Sequence, residues 1–441
     1  MTALLIGMAA CLAWSVLLLG RGMFWLARDD DSGAAGLPDP ASWPGVTAIV
    51  PARDEAETIG ATVTSLLAQD YPGTFRLVVV DDRSTDGTGD LARTAAAGDP
   101  RLLVVQGGAR ASGWTGKLWA LEQGLRAVPG APDYLLFTDA DIRHAPDSLR
   151  MLVRRAVAED RVLVSLMARL RCESPAERWL IPAFIFFFQM LYPFRWSNDP
   201  RARTAAAAGG CVLLDRTAFE RAGGLAPIRG ALIDDCALAR RMKAVGPIWT
   251  GLTDRVDSLR PYEDVGPIRR MVARTAYAQL GYQVVALAGM IAALALVFLA
   301  PPLLALFAAG TAAWLGALAW AAMAVAFAPT LRRSGLRRCA ASPCPASLPP
   351  TWRSRWTRPW PSGAAAAACG RARRVHARMP DPIPRRIKPH CRIKVAPPTP
   401  SALRKRKNRR IRSGMESCRA VPPGRVGLAR RKCSPCRRCR T

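Results

Sequence analysis

The stretch VTAIVPARDEAETIGATVTSLLAQDYPGTFRLVVVDDRSTDGT, residues 46–88, reads as strand, helix, strand. VTAIVPA and FRLVVVDD are short Val-rich runs that end in polar residues, and AETIGATVTSLLAQ (56–69) between them has helical apolar spacing. Two further runs repeat the form, LLVVQG and YLLFTDAD, interleaved with helical patterns at TGDLARTAAA (88–97) and GKLWALEQGLRAV (116–128). Strands alternating with helices predict an α/β domain whose parallel strands are covered on both faces. Ligands of such sheets sit beyond the carboxyl ends of the strands. Arg53-Asp54-Glu55, Asp81-Asp82 and Asp139-Asp141 all fall there, so three separate strands deliver carboxylates to one edge.

The 441 residues carry a net charge of +30, but the charge is not spread evenly. Residues 334–441 hold 29 Lys and Arg against Asp381 and Glu416, leaving a net of +3 for everything before them. The basicity therefore belongs to one end and does not mark the body as a nucleic-acid binder. Eight of the 12 cysteines also lie in that tail, and the four in the body are too scattered for a disulfide framework. CSPCRRC (433–439) has the spacing of half a zinc knuckle without a second half.

Residues 3–19 form an apolar stretch about long enough to span a bilayer, followed by Arg21 and Arg28. The stretch has no basic start and no clean cleavage site, so an uncleaved anchor over 1–20 is expected in preference to a signal peptide. Residues 21–45, rich in Gly, Pro and Asp, read as a linker. The α/β domain is expected over 46–281. Within it, LIPAFIFFFQMLYPF (180–194) is apolar but short, and fits either a core helix or one lying in the membrane interface. The apolar runs 282–300 and 303–327, parted by Pro301-Pro302, predict a transmembrane hairpin over 282–330. Arg269, Arg270 and Arg274 precede it and Arg332 and Arg333 follow, which puts both flanks and the α/β domain on the cytoplasmic side. A multi-pass protein of the bacterial inner membrane follows.

The tail, 331–441, lacks apolar periodicity and is expected to be disordered or out of frame. The second reading rests on codons: TWRSRWTRPWP (351–361), reread two bases on, becomes an apolar and small-residue run around a single Asp.

Three motifs carry chemistry. Asp82, at a strand end, suits a hydrogen bond from a nucleotide base or ribose, although Ser84, Asp86 and Thr88 beside it also form a helix-capping cluster. Asp139 and Asp141 share one side of an extended segment. They suit a polar turn or a divalent cation, Mg²⁺ or Mn²⁺, completed by substrate phosphates. Asp234 and Asp235 open an amphipathic helix, either as caps or as a general base for an acceptor hydroxyl.

In order, VPARDEAETI, VVVDDRSTDGT, FTDADI, Gly209-Gly210 and IDDCALARRM resemble the motif series of family 2 glycosyltransferases of the GT-A fold, over roughly residues 45–275. GWTGKLWALEQGL (113–125), ARTAYAQLGY (273–282) and the hairpin are similar to the hopene-associated members of hopanoid-making bacteria. The resemblance implies a Rossmann-like mixed sheet and an inverting, membrane-bound transferase. Its donor would be a nucleotide sugar and its acceptor a lipid, of hopanoid type in the closer resemblance, with no nucleic acid partner. It implies that Pro51, Arg53, Glu55 and Asp82 line the nucleotide site and that Lys117 meets donor phosphate. Asp139 and Asp141 would hold the metal, and Asp235 would be the base with Asp234 in place of a more usual Glu. Processive members carry Gln-x-x-Arg-Trp, whereas RRMVARTAY (269–277) has no Trp, so polymer synthesis is disfavoured. Other readings are a non-catalytic scaffold of the same fold and a transferase acting on another lipid or a cell-envelope glycan.

Overall fold

The computed structural model describes residues 1–262 and 264–336. The readings placed on the tail, including its frame and its cysteines, lie outside the described residues from 337 onward.

Helix α1 (Thr2–Leu19) precedes an eight-stranded mixed sheet. Its strands are β1 (Val46–Ala52), β2 (Phe75–Asp81), β3 (Leu102–Gln106), β4 (Tyr134–Thr138), β5 (Ile142–His144), β6 (Leu163–Arg169), β7 (Cys211–Asp215) and β8 (Ile248–Ser258). They lie in the order β3-β2-β1-β4-β7-β6-β8-β5. The first four are parallel, as the alternation of strand and helix predicts. The sheet is a parallel half extended by antiparallel neighbours, the mixed sheet that the resemblance implies.

The second half was not visible in the periodicity, and it decides what meets at the edge. β7 runs antiparallel to β4 with Cys211 opposite Thr138, so Gly209-Gly210 arrives beside the end of β4. β6 is antiparallel to β7 and parallel to β8, so β8 ends at the same edge and delivers the residues after Ser258. β5 returns antiparallel along β8 with Ile142 opposite Ser258, fixing Asp141 next to that terminus.

Both faces of the parallel half are buried, which explains strands that are apolar without alternation. Ala48, Val50, Leu77 and Val79 point to one face, under α2 (Ile59–Leu67), α3 (Thr88–Ala96) and, further along, α5 (Ser148–Ala158). Ile49, Val78 and Val80 point to the other, under α4 (Gly116–Ala127). Gly124 on α4 is obligatory there, since a Cβ would stand 2.5 Å from Ile49 Cγ2.

Helix α6 (Pro175–Leu191) begins with a capping box, Ser174 and Glu177, and covers the stretch read as a core or interfacial helix. Its Phe186 packs edge-on against Phe24 and Phe327, so α6 lies against the apolar helices. Short helices α7 (Phe194–Asn198) and α8 (Arg216–Arg221) lead to α9 (Asp234–Lys243) and α10 (Val265–Gln279).

Among the described residues three helices are long and apolar enough to cross a membrane: Thr2–Leu19, Val284–Phe307 and Thr311–Arg333. The second is α11 (Val284–Leu294) continued through a π-helical turn into α12 (Ala300–Phe307), and the third is α13. The hairpin thus turns at Ala308–Gly310 and not at Pro301-Pro302 as the sequence suggested. Both prolines sit in the first turn of α12, where a missing N–H is tolerated and the preceding π turn accommodates the rings. α1 and α13 run side by side in the same direction, with Gly7 against Leu315, and Trp14 Nε1 donates to the Val297 carbonyl at 2.9 Å.

Residues 21–45, read as a linker, are docked on the sheet. Asp30 bridges to Leu252, Thr253 Oγ1 donates to the buried Asp31 carboxylate at 2.6 Å, and Arg333 at the end of α13 bonds Asp30 at 2.9 Å. Arg21 Nε likewise donates to the Met190 carbonyl at 2.7 Å, tying the end of α1 to α6.

Candidate active site

The loops after β1 and β2 are latched to each other. Asp54 sits in the left-handed region (φ 51°), and its N–H donates to Ser84 Oγ at 3.0 Å while its carboxylate accepts the Thr85 N–H. Glu55 N–H donates to Thr88 Oγ1, and Ala56 N–H donates to Asp86, each at 2.9 Å. Hydrogen bonds, first from the Thr88 hydroxyl, hold the Asp86 carboxyl below its ordinary range. Ser84, Asp86 and Thr88 are therefore structural, but as a latch on the β1 loop; the helix-capping expectation is not met, since the cap of α3 is Gly87 with no side-chain bond.

Asp82 differs. It is 5 % exposed, its N–H is committed to the Ala52 carbonyl at 2.8 Å, and Oδ1 has no hydrogen-bond partner among the described residues. The Arg53 guanidinium stands 3.7 Å from Oδ2. A buried carboxylate oxygen without a donor is costly, so it calls for a donor from outside the protein.

The β4–β5 connection carries Asp139 and Asp141 with Ala140 buried between them, as an extended segment requires. Each carboxylate meets one cation. Lys117, in the first turn of α4, places Nζ 2.6 Å from Asp139 Oδ1 and 3.7 Å from Asp234 Oδ2. Burial raises the Asp139 carboxyl, with Lys117 opposing it. For Lys117, burial pulls downward but the surrounding carboxylates, Asp139 first, hold the amine well above its usual range. Asp141 Oδ2 accepts from Arg260 Nε at 3.0 Å, and the same guanidinium also bonds Glu55.

Asp234 and Asp235 begin α9. Asp235 accepts backbone N–H groups, from Gly209 at 3.1 Å and Cys236 at 2.7 Å, with the Lys117 charge nearby. Its carboxyl is pushed up to about 6, by burial first and then by the neighbouring Asp234 charge. Gly209 keeps this corner open: a Cβ there would lie 3.1 Å from Lys117 Nζ and 3.5 Å from Asp235 Oδ2.

Of the nine residues singled out in the sequence, all but Asp235 line one cleft of about 950 Å³, and Asp235 lies directly behind it at Gly209. Sequence reasoning missed Arg260, Tyr262 and the wall role of Arg270. Nothing in their local pattern marks them: Arg260 and Tyr262 reach the cleft through the pairing of β6 with β8, and Arg270 comes from α10. Glu177 was missed as well. It is buried and accepts the Tyr262 N–H at 2.7 Å, fastening the Arg260 loop to the start of α6.

Among the described residues no three His, Cys, Asp or Glu side chains form a metal cage by themselves. The donor set still suits a divalent cation. Asp139 and Asp141 lie one residue apart on the cleft wall, and two carboxylates completed by phosphate oxygens is the ordinary arrangement for Mg²⁺.

Residues 47–223 match the model of glycosyl transferase family 2. The chain is 35 % identical over 127 residues to an undecaprenyl-phosphate mannosyltransferase of Micrococcus luteus, covering 27 % of this chain and 47 % of that protein. It is 39 % identical over 112 residues to a β-monoglucosyldiacylglycerol synthase of Synechocystis, 25 % and 22 % of the two chains. An N-acetylglucosaminyltransferase of Mesorhizobium japonicum is 30 % identical over 178 residues, 40 % and 38 %. The chain thus spans less than half the length of these relatives. A mannosyltransferase of Pyrobaculum calidifontis, solved with GDP-Man and Mn²⁺, is 24 % identical with a TM-score of 0.45, covering 74 % of this chain and 90 % of that one.

Proposed function

We propose that the protein is a membrane-bound, metal-dependent glycosyltransferase that moves a sugar, with inversion, from a nucleotide-sugar donor to a lipid acceptor of hopanoid type. One observation carries the reading. Carboxylates from three distant segments, Asp82, Asp139-Asp141 and Asp234-Asp235, gather at one cleft, and Lys117 touches the second and third groups.

The roles follow from the surroundings of each group. The orphaned Asp82 Oδ1 accepts a hydrogen from the base or ribose of the donor. Pro51, Arg53 and Glu55 border that end of the cleft. Asp139 and Asp141 would hold Mg²⁺ or Mn²⁺, which when bound would supply charge neutralisation to a diphosphate leaving group. Lys117 adds a fixed positive charge at the same place, held by two carboxylates so that it need not reorganise. Asp235 takes the proton of the acceptor hydroxyl. A carboxyl raised to about 6 is ionised at neutral pH yet more basic than an ordinary one, as a general base should be. Attack from the Asp235 side with departure toward Asp139-Asp141 inverts the anomeric centre.

The lipid acceptor and the cytoplasmic, inner-membrane setting are supported by the three apolar helices packed on the domain and by two relatives named for lipid-linked substrates. Hopanoid chemistry is supported by the sequence resemblance around 113–125 and 273–282. The test is incubation of the full-length protein in detergent with a panel of nucleotide sugars and bacterial lipid extract, reading nucleoside diphosphate release and lipid mass. Release that requires hopanoid-containing extract supports the proposal. Release with hopanoid-free extract moves the acceptor to another lipid, and no release with any pair leaves the scaffold reading. Lipid profiling of a deletion strain checks the acceptor in the cell.

A further inference from the structure

Arg260 stands where a metal-binding carboxylate would be expected to face open space. Its loop is fixed at both sides: Leu259 N–H donates to the Asp141 carbonyl at 2.7 Å, and beyond it Tyr262 is held through its N–H by Glu177 and through its carbonyl by Ser174 Oγ at 2.8 Å. Between these anchors the guanidinium spans Asp141 and Glu55. The side chain remains 47 % exposed, so it can leave without opening the core.

We infer that Arg260 is a resident counter-cation that closes the Asp141 side of the metal site until the donor diphosphate arrives. The inference rests on the donor reading proposed above. A divalent cation approaching Asp141 alone meets a guanidinium already bonded to that carboxylate, and like charges at such separations repel. A nucleoside diphosphate changes the balance, because its phosphate oxygens offer the guanidinium a two-pronged partner in place of Asp141. Arg260 then passes from the carboxylate to the diphosphate while the cation takes the vacated oxygen. Lys117 is not equivalent, since it is pinned on a helix between two carboxylates. Metal and nucleotide therefore bind together, not metal first.

The test measures Mn²⁺ binding to the full-length protein in detergent from the loss of the free-ion paramagnetic resonance signal, with and without UDP or GDP. Without nucleotide, Arg260→Gln is expected to bind Mn²⁺ about tenfold or more tightly than wild type. Adding the nucleotide should tighten wild type far more than the variant. Arg260→Lys keeps the charge but cannot span both carboxylates, so it should fall between the two, and it serves as the comparison if the Gln variant does not fold. Equal Mn²⁺ affinity of wild type and both variants without nucleotide, with nucleotide-assisted binding intact, overturns this inference alone. Wild-type protein that binds no Mn²⁺ even with UDP or GDP contradicts the metal reading of the cleft and this inference with it.

Discussion

Two acidic pairs meet at the same cleft, Asp235 from directly behind its wall, and they have different partners. Asp139 and Asp141 hang from a turn between strands, and each is bonded to a side-chain cation, Lys117 and Arg260. Asp235, beside Asp234 at the start of a helix, has only backbone N–H groups and is pushed up to about 6 by burial and its acidic neighbour. The first environment gives each carboxylate a cationic partner, although burial still raises Asp139. The second leaves a carboxylate willing to accept a proton. Lys117 touches both pairs and keeps them in register.

The largest expected effect comes from breaking the proton-accepting pair. Asp235→Asn should lower kcat by about 10³-fold, within the range usual for loss of a general base. It should also remove the acid limb of the kcat/KM profile. In wild type that limb should lie near pH 6, activity falling as Asp235 becomes protonated below it. A limb that survives in Asp235→Asn assigns the base elsewhere. Next is Asp141→Asn, expected to cost about 10²-fold or more through lost stabilisation of the leaving group. Full, metal-independent transfer by that variant would sink the metal reading. Lys117→Met, which severs the link between the pairs, should lower kcat by about 10²-fold with a smaller change in KM. An effect confined to KM would make Lys117 a binding residue only. The smallest effect is expected from Gly209→Ala, whose Cβ would press on Lys117 Nζ at 3.1 Å; about a tenfold loss of kcat should leave the melting temperature nearly unmoved.

The difference between the pairs also separates what was legible in the sequence from what was not. The parallel half of the sheet announced itself because doubly buried strands read as unbroken Val and Leu runs, and Asp82, Asp139 and Asp141 fall at their ends. The other half did not. β6, β7 and β8 lie among helices and loops without a simple period, and they bring Gly209 to Asp235 and Arg260 to Asp141. Pro301-Pro302 misled for a related reason: the π turn just before them accommodates their rings, so the helix runs through to Phe307. Residues 21–45 read as a linker from composition, since Asp30 and Asp31 reveal their partners on β8 and α13 only in three dimensions.

The most direct test of the division of labour compares Mn²⁺-dependent binding of UDP or GDP to wild type, Asp141→Asn and Asp235→Asn by titration calorimetry. Asp141→Asn is expected to lose about tenfold or more in affinity through the missing metal contact, while Asp235→Asn stays within about twofold of wild type. Equal losses in both variants, or a loss in Asp235→Asn alone, would contradict the assignment of one pair to the metal and the other to the proton.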